Sequence, residues 1–174
     1  MTKGLTSEQN YFLEKALEKG ADHAVIFDIN DIEFDSRTFL KCRYGCAKYG
    51  HGHLCPSSED FLKPWEYEQI FKRYKWGVII HSTVDKIAQN VSYDLELEAF
   101  LRGYHFAFSL SNCAVCTECL GFQKKPCANP VKTRPEFHSV GIDVFKTVHK
   151  FGLPLQPLKT ADEKPNWYSA VFVE

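Results

Sequence analysis

The sequence has no apolar run approaching the roughly 20 residues that a membrane-spanning helix needs. Nor does it carry an excess of either charge, the formal net charge being -1 over 174 residues. The first absence excludes a helical bilayer span within this sequence. The second removes the field that would concentrate nucleic acid or an anionic membrane surface. Neither a Gly-x-Gly-x-x-Gly turn nor a phosphate-binding loop ending in Lys-Ser or Lys-Thr is present, which takes nucleotide-dependent chemistry off the list. Internal repeats and low-complexity tracts are missing as well. Residues Met1 to Leu13 lack the basic-then-apolar layout of a secretory signal, so the expected compartment is the cytoplasm, where thiols stay reduced.

Against these absences stand seven cysteines. An odd number does not suit a disulfide framework, which pairs its members. The length implies a single domain, 1–174, able to bury a core without covalent staples, and 44% hydrophobic with 25% charged residues is ordinary for a globular chain. The cysteines are therefore free for chemistry.

The element pattern is readable. Thr6 and Gln9 form a capping box before the apolar stripe Phe12, Leu13, Ala16 and Leu17, and Gly20 stops the helix. His23 to Phe27 reads as a strand, and Asp28 to Asp35 as turn chemistry leading to a second short one. Ser57 and Ser58 offer an N-cap after Cys55-Pro56, with a helical pattern from Pro64 to Tyr74. Gly77 to His81 is the clearest buried strand, followed by a helix through Tyr93 to Arg102 carrying Leu95, Leu97, Phe100 and Leu101, and closed by Gly103. A strand over His105 to Leu110 delivers the chain to Cys113, a last helix spans Pro135 to Phe151, and Tyr168 to Val173 is a final strand. Strands alternating with helices imply an α/β (or α+β) fold, a small sheet covered by helices, with two cysteine-rich metal-binding loops at strand ends.

The strongest chemical signal is Cys113-Ala114-Val115-Cys116-Thr117-Glu118-Cys119, completed by Cys127. Three cysteines at intervals of three wrap a loop so that their thiolates converge on neighbouring irons of a cubane. Tetrahedral zinc more often takes Cys-x-x-Cys pairs separated by a longer spacer. Soft thiolates suit both metals, so spacing decides, and it favours a [4Fe-4S] cluster over zinc or unligated thiols. Gly121 and Pro126 fit a tight loop whose amides can donate to cluster sulfurs. Lys124, Lys125, Lys132 and Arg134 lie close by, either balancing thiolate charge or simply solvated.

A second group is Cys42, Cys46 and Cys55-Pro56, with Gly45, Gly50 and Gly52 supplying backbone freedom. Three thiolates leave one iron of a cubane open to water, substrate or another ligand, and an open iron is a Lewis acid. His51 and His53 are the nearest candidates for that fourth position; the plainer reading makes them loop histidines. Buried core thiols are the plainer reading of the cysteines themselves.

These residues resemble the predicted metal-binding proteins known as domain of unknown function 2284. The resemblance rests on Cys42-Arg43-Tyr44-Gly45-Cys46, Tyr49-Gly50, Cys55-Pro56, then Cys113, Cys116, Cys119 and Cys127, then Asn129-Pro130, Arg134-Pro135 and Val140 to Phe145. It implies metal binding through all seven cysteines, with an iron–sulfur cluster the usual form, and no established reaction. The family often has a second proline after the Cys-Pro pair, where this chain has Ser57, and a basic residue where His51 stands. On amphipathic spacing, Val140 to Phe145 reads as part of a core helix with Asp143 outward.

Three functions compete. The first is redox or electron transfer through one or two [4Fe-4S] clusters, with a redox partner protein. The second is an enzyme that polarises a small-molecule ligand on an open iron, assisted by His51, His53 or Arg43. The third is a structural Zn module. No nucleic-acid or membrane partner is implied.

Overall fold

A computed structural model describes residues 4–58 and 61–174. The first three residues of the N-terminal segment read for a targeting signal thus lie outside the described residues.

Helix α1, Ser7–Glu18, forms because both ends are satisfied locally. Gln9 N–H donates to Thr6 Oγ1 at 3.2 Å, and Thr6 N–H donates to Gln9 Oε1 at 2.9 Å. At the other end Gly20 sits at φ +99, with Gly20 N–H reaching Leu17 O at 3.0 Å and Ala21 N–H reaching Ala16 O at 3.1 Å. This is the left-handed glycine stop that the sequence implies.

Four strands follow: β1 His23–Asp28, β2 Trp76–Ser82, β3 Phe108–Leu110 and β4 Trp167–Phe172. They form one sheet in the order β1-β2-β4-β3, antiparallel at every pairing, which makes the fold α+β. Helices α2 Thr38–Gly45, α3 Pro64–Phe71, α4 Asp85–Leu101 and α5 Val144–His149 complete the architecture.

Both sheet faces are covered, which explains why β2 and β4 read as continuous apolar runs rather than alternating ones. On one face Val78, Ile80, Val171 and Val173 pack against Phe12 and Ala16 of α1 and Val91, Leu95 and Ala99 of α4. On the other, Phe27, Ile79, Leu110, Ala170 and Phe172 meet Phe71 of α3, Phe137, Val140 and Val148. Phe27 and Phe172 lie edge to face, 5.0 Å apart, flanking Gly77, where a Cβ would collide with the Phe27 ring and the Val171 carbonyl.

Several expected elements differ. The helix expected over Pro135 to Phe151 is broken: a 3₁₀ turn at His138–Val140 ends on Gly141 at φ +86, and only Val144–His149 is α-helical. The cause is tertiary. Ile142 bridges to Phe34, Gly141 packs against the Pro64 carbonyl where no side chain fits, and Asp143, rather than facing outward from a helix, caps α5 by accepting from Lys146 N–H at 3.0 Å. Ser57 and Ser58 lie in a turn and cap no helix; α3 starts at Pro64. On α4 the sheet-facing side runs through Ala88, Val91, Ser92, Leu95 and Ala99, leaving Leu97, Phe100 and Leu101 exposed. The strand expected at His105 to Leu110 shortens to Phe108–Leu110 because Tyr104 and Ala107 close a turn before it. No described helix is long and apolar enough to cross a membrane.

Candidate metal centre

The first cysteine segment begins on a helix, not in a loop leaving a strand: Cys42 lies on α2 and Cys46 directly follows its last residue, Gly45. Beyond it the chain folds through consecutive turns, closed by Tyr49 N–H to Cys46 O, His51 N–H to Lys48 O and Cys55 N–H to Gly52 O, each 3.1 Å. Gly50, at φ +86, permits the reversal. The path returns Cys55 toward its start, where Gly50 N–H donates to Cys55 Sγ at 3.4 Å and the Ser57 hydroxyl donates to the same sulfur at 2.9 Å. A proline at 57 would lack that hydroxyl. Burial, reinforced by the charges of Glu136, Cys46 and Cys55, pushes the Cys42 thiol up to about 11.

The second segment leaves β3 as its spacing implies. Ser111 N–H donates to Pro135 O at 2.9 Å, and Cys113 then adopts φ +50, left-handed backbone that costs a non-glycine residue roughly 1–2 kcal/mol. Just before it lie two of the buried side-chain oxygens without a partner among the described residues, Ser111 Oγ and Asn112 Oδ1. Burial, then the charges of Cys119, Cys127, Glu136 and Cys116, push the Cys113 thiol up to about 11. Its side chain is nevertheless open to solvent, so the thiol lines a crowded recess rather than a sealed core. The loop closes on Asn129, whose backbone N–H donates to Cys127 Sγ at 3.4 Å and whose side-chain Nδ2 donates to Cys116 Sγ at 3.0 Å. One residue thereby holds two of the four sulfurs.

Helix α4 fastens the loop at both ends through Gln89, which is 2% exposed. Its Oε1 accepts from Ala114 N–H, and its Nε2 donates to Lys132 O at 3.2 Å. Arg134 is an anchor too and not a counter-charge for thiolates: its guanidinium forks onto Glu96, at 2.5 Å for Nη2 to Oε1 and 2.8 Å for Nε to Oε2. Glu96 also accepts from the backbone and hydroxyl of Ser109 on β3. Lys124, Lys125 and Lys132 stay on the exposed surface.

The two loops touch. The His51 carbonyl packs against Gly121 inside the space a Cβ would need, and the His51 ring stacks on Phe122 with centroids 5.4 Å apart and planes 18° from parallel. Among the described residues no three His, Cys, Asp or Glu side chains converge closely enough to hold a single metal ion. All seven thiols are free of disulfides.

The family of predicted metal-binding proteins, DUF2284, matches residues 25–173. The chain belongs to that family. No curated protein and no solved structure matches it. For this DUF2284 chain the family description supports metal binding and leaves the metal unspecified.

The most informative site residues of the DUF2284 chain other than cysteine are Gln89, Asn129 and Glu136. Only Asn129 lay within the residues that carry the family resemblance. Gln89 sits mid-helix, 24 positions before Cys113 by number, and no local pattern distinguishes it from a core-facing polar residue. Glu136 follows a proline in a segment whose periodicity reads as helix, which conceals that its charge reaches both Cys42 and Cys113.

Proposed function

We propose that the chain is an iron–sulfur protein of the [4Fe-4S] type that serves electron transfer, with Cys113, Cys116, Cys119 and Cys127 holding one cluster and Cys42, Cys46 and Cys55 a second. The observation that carries this reading is the set of donors aimed at sulfur: Gly50 N–H and Ser57 Oγ on Cys55, Asn129 N–H on Cys127 and Asn129 Nδ2 on Cys116. A neutral thiol gains little as an acceptor, whereas a thiolate is stabilised by each such bond, and hydrogen bonds to ligand sulfurs are one of the levers that set a cluster's potential.

The spacing of Cys113, Cys116 and Cys119 suits a polynuclear cluster better than one ion. Cluster ligands attach to separate irons and stand farther apart than the ligands of a tetrahedral zinc. Such a cluster, once bound, supplies a one-electron couple. The chain's own residues position its ligands: Gln89 holds both ends of the second loop, and the His51–Phe122 stack joins that loop to the first.

A second reading is favoured by the three-plus-four division of the cysteines. A three-thiolate cluster leaves one iron for a small ligand, and the exposure of Cys46 gives that ligand access.

Anaerobic purification followed by iron, sulfide and zinc analysis tests both. A brown protein with about eight irons fits two clusters, about four fits one, and zinc without sulfide refutes the reading. Cys116→Ser should lose one cluster's worth of iron and sulfide; full retention would remove the second loop from the assignment.

A further inference from the structure

Cations gather around the cysteine segments. Residues 36–58 contain Arg37, Lys41, Arg43 and Lys48 and no Asp or Glu, and residues 113–132 contain Lys124, Lys125 and Lys132 against the single acid Glu118, in a chain whose net charge is -1. Glu59 and Asp60, which come next after Ser58, lie outside the described residues. The His51 carbonyl packed on Gly121 and the His51–Phe122 stack bring the two stretches together. Some of the charge is already engaged: Arg37 pairs with Asp35, Lys48 acts on the Glu136 carboxylate, and Lys132 lies over the Tyr93 ring of α4. Lys41, Arg43, Lys124 and Lys125 are exposed, and among the described residues none of them has a salt bridge. Nor do these four serve the ligand sulfurs. The donors on Cys55, Cys116 and Cys127 are Gly50, Ser57 and Asn129, with no lysine or arginine among them.

Arg43 is the most specific of the four. Its guanidinium lies 5.9 Å from the centroid of the Tyr44 ring and 5.4 Å from that of Tyr49, and Nη1 donates to the Tyr49 hydroxyl at 3.5 Å. Two rings thus hold the planar group in place, while most of its five N–H donors have no partner among the described residues. An arginine fixed in this way is prepared for a carboxylate, which it binds through two parallel bonds. Large apolar side chains stand open around it: Tyr44 is 81% exposed, Leu40 53% and Phe122 46%. Tyrosine and arginine together are the side chains that carry most of the energy at protein interfaces.

We propose that α2 and the Lys124–Lys125 turn form the docking face for an acidic one-electron carrier protein, with Arg43 receiving a carboxylate of that partner. The assignment rests on the electron-transfer reading above and names its partner class. Position favours it. Lys41 and Arg43 flank Cys42, and Lys124 and Lys125 fall between Cys119 and Cys127, so a carrier seated on these cations lies against ligands of both cysteine sets. One electron then passes between the two centres, one being oxidised as the other is reduced, with no bond made or broken. Complementary charge steers such encounters and gives them their dependence on salt.

The test is a calorimetric titration of the anaerobically purified full chain, with iron and sulfide measured on every sample. The probes are an acidic plant-type ferredoxin, the basic carrier cytochrome c and a short DNA duplex. Ferredoxin should bind in about 20 mM salt and lose affinity roughly tenfold or more in about 200 mM, and cytochrome c should not bind. Arg43→Glu and, independently, the pair Lys124→Glu with Lys125→Glu should each weaken ferredoxin roughly tenfold. Arg43→Lys, which keeps the charge and loses the fork, should fall between Arg43→Glu and wild type. Lys15→Glu makes the same charge change on α1, across the sheet, and should leave the affinity as it is. If Arg43→Glu loses iron, the lysine pair alone decides. Ferredoxin binding that is absent, indifferent to salt, or weakened as much by Lys15→Glu overturns the proposal, and so does tighter binding of the DNA. A wild-type protein without iron and sulfide sinks the cluster reading itself, whereas an iron- and sulfide-loaded protein that ignores ferredoxin sinks the docking face alone.

Discussion

The His51 carbonyl packs against Gly121, in the space that any side chain at 121 would occupy, and a Cβ there would also come to 3.4 Å from Cys119 Sγ. This contact joins the two cysteine segments through residues 70 positions apart in the chain. Gly121→Ala must push the loops apart. It is expected to destabilise the metal-free protein by about 1–3 kcal/mol, the usual cost of overpacking, and to lower the iron retained after gel filtration. Thermal unfolding and metal analysis check it; an alanine variant with wild-type stability and iron would mean that the loops do not depend on this contact.

Asn129 offers a test of potential rather than of stability. Replacing its side chain removes the donor to Cys116 Sγ and leaves the backbone donor to Cys127 in place. A thiolate without that bond favours the oxidised, less negative cluster. Asn129→Ala should therefore lower the midpoint potential, by about 60 mV if the equilibrium moves tenfold. Spectroelectrochemical titration reads the shift, and a potential that rises or stays fixed would contradict the role.

Gln89 is buried and bonded at both ends, so its loss leaves Ala114 N–H and Lys132 C=O without partners. Gln89→Leu keeps approximate volume and is expected to cost about 1–3 kcal/mol. The effect should be local. Hydrogen exchange would quicken over residues 111–134, while β2 and β4 stay protected; uniform acceleration across the sheet would point to global damage instead.

The pH dependence has a definite sign. In the folded metal-free chain the Cys42 thiol is raised from 9.0 to about 11, so folding favours the neutral thiol. That contribution is fully present below pH 9 and fades as pH climbs toward 11, because the unfolded chain sheds its proton first. Tyr67, Tyr74 and Tyr168, also raised by burial, add to the loss at the alkaline end. The part due to Cys42 is isolated by Cys42→Ser, whose thermal midpoint should fall less between pH 9 and 10. An equal fall in both proteins would exclude the thiol as the cause. Metal loading moves the other way, becoming tighter from pH 6 to 9 as thiolates form.

Much of this was legible in the chain. The capping box at Thr6 and Gln9, the runs that became β2 and β4, and the second cysteine loop leaving β3 all rest on local rules, which operate within a few residues. The errors arose where distant contacts decide. Gly141 lies in a periodic apolar stretch, and only its packing on Pro64 and the bridge from Ile142 to Phe34 break the helix there. Leu97, Phe100 and Leu101 mark the helix in the sequence, but the sheet selects the side of α4 with the smaller residues Ala88, Ser92 and Ala99, which let the helix approach closely. Cys42 sits on a short helix with a single buried residue, Thr38, so it presented no amphipathic signal. Gln89 meets Ala114 and Lys132, both distant in sequence, which no local pattern foretells.

Strand β3, which feeds the second cysteine loop, has β4 as its only neighbour in the sheet among the described residues, and β4 consists of residues Trp167–Phe172. The ribosome must therefore deliver all the cysteines, and some forty residues beyond Cys127, before the platform beneath that loop exists. Metal loading of this loop on its folded platform therefore follows the synthesis of β4, and the thiols must stay reduced until then.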